Sequence, residues 1–173
     1  MHIEIEEFTE SDAEDLEKVF KITWSRSYEY PLEWRIKRQI KKKKIIEEMR
    51  SGYHFFGARE NHGDSEIDDH RDNTSMGKIM GVYKLKITDE GCFGEHQSIL
   101  PEYAHKGLAS AMYEQFIQYA KTHGCTKNYV NVLEHHTACI HLVKKFGFCK
   151  EGPVFEQTEG MRVQRYVRWC SEY

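Results

Sequence analysis

With 173 residues, 39% of them hydrophobic and 31% charged, the chain can bury most of its apolar surface in one core and is too apolar to remain unfolded. A formal charge of -3 excludes a strong bulk attraction to nucleic acid or to an anionic membrane. Five cysteines without a Cys-x-x-Cys pair, an acidic N-terminus and no long apolar run lead us to expect one cytoplasmic domain over residues 1–173, with free thiols.

Residues 2–8 set Ile3, Ile5 and Phe8 among acids, as a short strand would. Thr9 to Asp12 has the form of a capping box, with Asp in the place of Glu or Gln. It opens a helix that carries Ala13, Leu16, Phe20 and Trp24 at helical spacing. A polar, aromatic link containing Tyr28, Glu29 and Tyr30 follows. A second helix is predicted over 32–50, with Ile36, Ile40 and Met49 inward and Gly52 ending it. Lys41, Lys42, Lys43 and Lys44 lie within that stretch. They spread over more than one turn ahead of Glu47 and Glu48, so they read as a solvated face and not as a nucleic-acid patch.

Strands are predicted over 53–60 and 78–88, the latter with Ile79, Val82, Leu85 and Ile87. Residues 61–75 between them are too polar to pack and are expected to form a mobile surface loop. His62, Asp64, Asp68, Asp69 and His70 have no spacing that fixes a coordination geometry, and no metal is expected. A strand over 91–100 runs through a turn at Pro101 and Glu102 to Gly107. The helix behind Gly107 carries Leu108, Met112, Phe116 and Ala120 and ends near His123 and Gly124. Such a helix start presents free N–H groups and the positive end of a helix dipole, which suits a phosphate. A strand over 128–133, a helix over 137–145 and two strands over 148–156 and 161–169 complete the chain. The fold class is therefore α/β (α+β): a mixed, mostly antiparallel central sheet of about seven strands flanked by about four helices.

This order, together with Pro-Glu-Tyr-Ala-His-Lys-Gly-Leu-Ala at 101–109 and Lys-Lys-Phe-Gly-Phe at 144–148, resembles the GNAT superfamily of acyl-CoA-dependent N-acetyltransferases. The resemblance spans nearly the whole chain and is weakest over the first ninety residues. It implies acetyl-CoA as co-substrate, with the pyrophosphate wrapped by His105, Lys106, Gly107, Leu108, Ala109 and Ser110. Ala104 stands where the family pattern has Gln or Arg. One charge-assisted contact, worth about 1.5 to 3 kcal/mol, is thereby lost, and His105 or Lys106 can replace part of it. The resemblance also implies that the strands at 91–100 and 128–133 splay apart. The pantetheine arm then pairs with Gln97, Ser98 and Ile99, and an N–H near Ile99 or Leu100 polarises the thioester carbonyl.

An amine acceptor near neutral pH is mostly ammonium and must lose a proton before it attacks. By the strand period of two, Phe93, Glu95, Gln97 and Ile99 share one face, and Glu95 is the only ionisable group among them. Glu95 is thus the expected base, and His96, on the opposite face, a packed or surface histidine. Many family members protonate the departing thiolate with a tyrosine whose place is taken here by Val143. His136 stands where Asn is common and becomes the candidate acid or cofactor contact, while Cys139 reads as a small buried thiol.

By the same resemblance the acceptor enters beside Tyr28, Glu29, Tyr30, Glu33 and Tyr166. The expected function is acetyl transfer to a primary amine of a small molecule or peptide by direct attack in a ternary complex. The alternative is a catalytically degenerate acyl-CoA-binding sensor or scaffold. Neither nucleic acid nor membrane is an expected partner, and the fold leaves room for a homodimer.

Overall fold

The computed structural model describes residues 2–61 and 76–171. Seven strands form one sheet in the order β1-β2-β3-β4-β5-β7-β6: β1 Glu6–Glu7, β2 His54–Arg59, β3 Ile79–Thr88, β4 Gly91–Ile99, β5 Lys127–Leu133, β6 Cys149–Thr158 and β7 Met161–Trp169. All neighbours are antiparallel except β4 and β5, which run parallel. Helices α1 Ala13–Ser25, α2 Leu32–Arg38 and α3 Lys42–Arg50 cover one face, while α4 Leu108–Thr122 packs on the other, with α5 Thr137–Lys145. The predicted sheet is present. The first strand is reduced to two residues, since only Glu6 and Glu7 pair with Phe56 and Gly57.

The α1 prediction holds in detail. The N–H of Thr9 donates to Asp12 Oδ2 at 2.9 Å, and Ala13, Leu16, Phe20 and Trp24 are all buried. The single helix predicted over 32–50 is instead two helices. The chain leaves helical geometry at Gln39 (ψ 72°) and re-enters after an extended Lys41. The break turns Ile40 into the core beside Trp34 and Ile45 and leaves Ile36, predicted inward, 59% exposed. A straight helix would turn Ile40 about 120° away from Trp34, whereas the two short helices bury Trp34, Ile40 and Ile45 together.

Opposite, Leu108, Met112, Phe116 and Ala120 of α4 bury against β3 and β4, as their spacing requires. Gly81 and Gly94 make this approach possible. A Cβ on Gly81 would lie 2.9 Å from Leu108 Cδ2, and one on Gly94 would lie 2.7 Å from Phe116 Cζ. The head of α4 is thereby seated over the middle of the sheet. The candidate metal ligands His62, Asp64, Asp68, Asp69 and His70, with nearly all of the loop expected over 61–75, lie in the segment 62–75, outside the described residues.

Candidate active site

β4 and β5 pair only at Cys92 with Asn128 and Phe93 with Tyr129; beyond Gly94 they part. A V-shaped cleft opens between them, as expected, and holds a cavity of about 290 Å³. Its walls come from both helical layers: Trp24, Tyr30 and Trp34 on one side, and Met112, Tyr113 and Cys139 on the other.

The strand bordering the cleft carries a bulge, where Glu95 faces Lys84 but Ser98 faces Val82. His96 sits there with φ 63°, a left-handed conformation uncommon for a residue other than glycine. The bulge breaks the assumed alternation. Glu95 lies on the α1–α3 face beside Lys84 (3.5 Å), and His96 lies on that same face against Phe20 and Trp24. Gln97 contacts Met112 and Ile99 packs with the α4 core, so these two point the other way. The sharing of one face by Glu95, Gln97 and Ile99 is therefore corrected. Ser98 is committed to the fold: its Oγ accepts from Trp24 Nε1 at 2.8 Å and donates to the His96 carbonyl, tying α1 to the bulge.

Backbone polarity along β4 is also settled. The N–H of Leu100 donates to the Met80 carbonyl at 3.0 Å and is spent. By antiparallel alternation the N–H of Ile99 points away from β3, toward the side that β5 has vacated. Of the two candidate carbonyl donors, Ile99 is the one with a free N–H.

At the head of the cleft the chain runs from Ala104 through His105 (φ 59°) to Gly107 (φ 85°), which caps α4. The first helical bond there is from Ala111 N–H to the Gly107 carbonyl. Among the described residues, the N–H groups of His105, Lys106, Gly107, Leu108, Ala109 and Ser110 donate to no protein acceptor, which leaves a nest open to an anion. Lys145 of α5, missed in the sequence, reaches this nest and donates to Ser110 Oγ at 3.2 Å. Replacing Gly107 by Val forces a β-branched residue to φ 85°, at a cost of about 1 to 3 kcal/mol. We expect its KM for acetyl-CoA to rise about tenfold, while Gly107→Asn, tolerant of that conformation, stays near wild type; titration of thiol release against acetyl-CoA checks both.

His136 caps α5 on the cleft, its ring 5.3 Å from that of Tyr30. Burial lowers its pKa, against a smaller opposing effect of Glu29, so the neutral imidazole predominates at neutral pH. It is thus equipped to hydrogen bond and poorly stocked with protons. Burial keeps Tyr30 protonated by pushing its phenol well above the ordinary value, with Cys139 and Glu29 adding to the effect. The Cys139 thiol is pushed up to about 11 by burial, then by Glu29, and stays neutral. Val143 is fully buried in the core and supplies no polar group.

Of the acceptor-side candidates, Glu29 and Tyr30 line the cleft. Tyr28 is 77% exposed beneath Arg35, and Tyr166 is a core residue at 1%, so neither reaches it. Residues not predicted for the site line it as well, among them Thr23, Trp34, Arg38 and Asn131. Buried side-chain polar atoms without a partner number six among the described residues, and four of them, Thr23 Oγ1, Trp34 Nε1, Asn131 Oδ1 and His136 Nδ1, line this cavity. Native proteins leave few such atoms unsatisfied, and their concentration in one cleft marks a binding site.

The fold and site define an α/β protein with a strand-splayed cleft that holds a half-buried carboxylate, and with an open N–H nest at the start of α4. Residues 13–148 match the model of the acetyltransferase (GNAT) family, and the chain belongs to that family. Similar structures include the PaiA N-acetyltransferase of Thermoplasma acidophilum in complex with coenzyme A: 22% identity, 95% of this chain and 98% of that one, TM-score 0.67. Another is yncA, a putative acetyltransferase of Salmonella typhimurium with acetyl-CoA: 12% identity, 99% and 95% coverage, TM-score 0.71. The ribosomal-protein-S18-alanine N-acetyltransferase of Escherichia coli is similar at 15% identity, 96% and 91% coverage, TM-score 0.66. At these identities the likeness is one of fold. No curated protein sequence matches the chain significantly.

Proposed function

We propose that the protein is an acetyl-CoA-dependent N-acetyltransferase acting on a primary amine by direct attack in a ternary complex. The observation that carries the reading is the cleft itself. It opens where β4 and β5 part, with Glu95, Gln97 and Ile99 of β4 and Met112 and Tyr113 of α4 on its walls, and the open N–H groups at 105–110 begin that same helix. Acetyl-CoA, when bound, supplies an activated acetyl group on a thiol leaving group. The nest with Lys106 and Lys145 holds the pyrophosphate, and Gln97 and Ile99 border the pantetheine arm. The Ile99 N–H is directed to the acyl oxygen. Asn131 Oδ1 and His136 Nδ1 have unspent hydrogen-bonding capacity for the same arm.

Glu95, side by side with Lys84, accepts the proton of the acceptor ammonium. Tyr30 keeps a phenolic proton in the cleft and serves the departing thiol in place of the tyrosine that Val143 replaces. The alternative, an acyl-CoA-binding module without turnover, draws support from that same Val143. Saturation of the protein with acetyl-CoA at about 100 times Kd should stabilise it by about 2.7 kcal/mol and raise Tm by several degrees. Thiol release with an amine panel then separates enzyme from sensor. Absence of any melting shift would reject the acyl-CoA site.

A further inference from the structure

Resting on the N-acetyltransferase reading, we propose that Arg38 and Trp34 form an oxyanion receptor in the acceptor half of the cleft, so that the acceptor is an amine carrying a carboxylate or phosphate.

Arg38 ends α2 and borders both the main cleft and an adjoining hollow of about 420 Å³. Its guanidinium lies 4.2 Å from the Trp34 ring centroid and 5.8 Å from that of Trp24. Stacking fixes the plane of the fork but satisfies none of its five N–H donors. Among the described residues this guanidinium makes no hydrogen bond and no ion pair. Trp34, only 6% exposed, also has its Nε1–H buried without an acceptor. An indole N–H is a donor and nothing else, so the partner it lacks is an acceptor. Thr23 Oγ1, likewise unpartnered, borders the same cleft.

The surrounding charge agrees. Lys37, Lys41 and Lys44 line the hollow with Arg38, against two carboxylates, Glu48 and Glu95. Both carboxylates face the buried ammonium of Lys84, at 2.8 and 3.5 Å, and Lys41 leans outward to Glu17 at 3.8 Å. The lysine run read in the sequence as a solvated face thus divides. Lys42 pairs with Glu14, whereas Lys44, without an ion pair among the described residues, adds positive charge to the hollow's rim. An amine with an oxyanion would set its ammonium at Glu95 and its anion at Arg38 and Trp34, and a polycation would meet repulsion at Lys37 and Lys44. A guanidinium fork suits bidentate contact with either oxyanion.

The test compares matched acceptors in thiol release: glycine with glycinamide, β-alanine with propylamine, and phosphoethanolamine with ethanolamine. Wild type should prefer the anionic member of at least one pair by about tenfold or more in kcat/KM. The pair that responds tells carboxylate from phosphate. In Arg38→Gln and in Trp34→Phe, which keeps the ring, that ratio should fall toward one, and Arg38→Lys should retain an intermediate ratio. Variants are first checked for an unchanged acetyl-CoA-induced melting shift. A preference for neutral or polycationic amines, or a ratio unmoved in Arg38→Gln and Trp34→Phe, overturns the proposal. Should no amine turn over although acetyl-CoA binds, it is the acetyl-transfer reading that fails. Calorimetric binding of N-acetylglycine against N-acetylglycinamide to the CoA-bound protein then decides the receptor: equal affinities reject it, and a preference lost in Arg38→Gln supports it.

Discussion

Glu95→Gln is expected to lower kcat by about 100-fold to 10,000-fold, the usual contribution of a positioned general base. The substitution is nearly isosteric and leaves Lys84 paired with Glu48 at 2.8 Å, so it strands no buried charge. Acetyl-CoA binding, which we assign to the loop at 105–110 and the β4 backbone, should be retained, and the melting shift with acetyl-CoA should match wild type. The loss should shrink as pH rises and more of the acceptor is already free amine. A variant with wild-type kcat and an unchanged pH profile would remove Glu95 as base and leave water to take the proton.

Stability should fall steeply below about pH 6.5, and His96 should account for much of that fall. The imidazole is held well below its ordinary pKa, first by burial and then by the cations Arg38 of α2 and Lys84 of β3; the Nε2 contact to the Arg38 carbonyl opposes this. From α1 the rings of Phe20 and Trp24 pack against it. A lowered folded pKa means that the unfolded chain binds the proton first. Stability is therefore complete above about pH 6.5 and declines by up to about 1.4 kcal/mol per pH unit below it, until the folded pKa is reached. His96→Asn keeps a polar, uncharged group that tolerates φ 63°. Melting between pH 7.5 and 5 should show a shallower acid slope for that variant, with the remainder due in part to His136. Parallel slopes would mean that His96 charges without penalty.

The two predictions draw on neighbouring residues of one bulge, and the bulge is what strand periodicity could not anticipate. Glu95 was legible by residue type as the one carboxylate of its strand. Its separation from Gln97 and Ile99 was not, because one extra residue inverts every position after it. His96 was correctly read as a packed histidine, though it shares the face of Glu95. The break at Gln39 was equally silent: no Gly or Pro marks it, and what it achieves is the burial of Ile40 together with Trp34 and Ile45, which an unbroken helix would not bring to one face. Arg38 ends the helix just before that break and borders the cleft, a place that a cation of a polar helix does not announce in sequence.

By itself the sequence determined the order of the strands, the core faces of α1 and α4, and the glycine-led start of α4. These are properties of residue type and local period, which are fixed within a few positions along the chain. Only the tertiary structure decided which N–H of β4 is free, which of Tyr28 and Tyr30 enters the cleft, and what surrounds Glu95. Those depend on strand register, on the parting of β4 from β5, and on helices distant in sequence closing over one cavity.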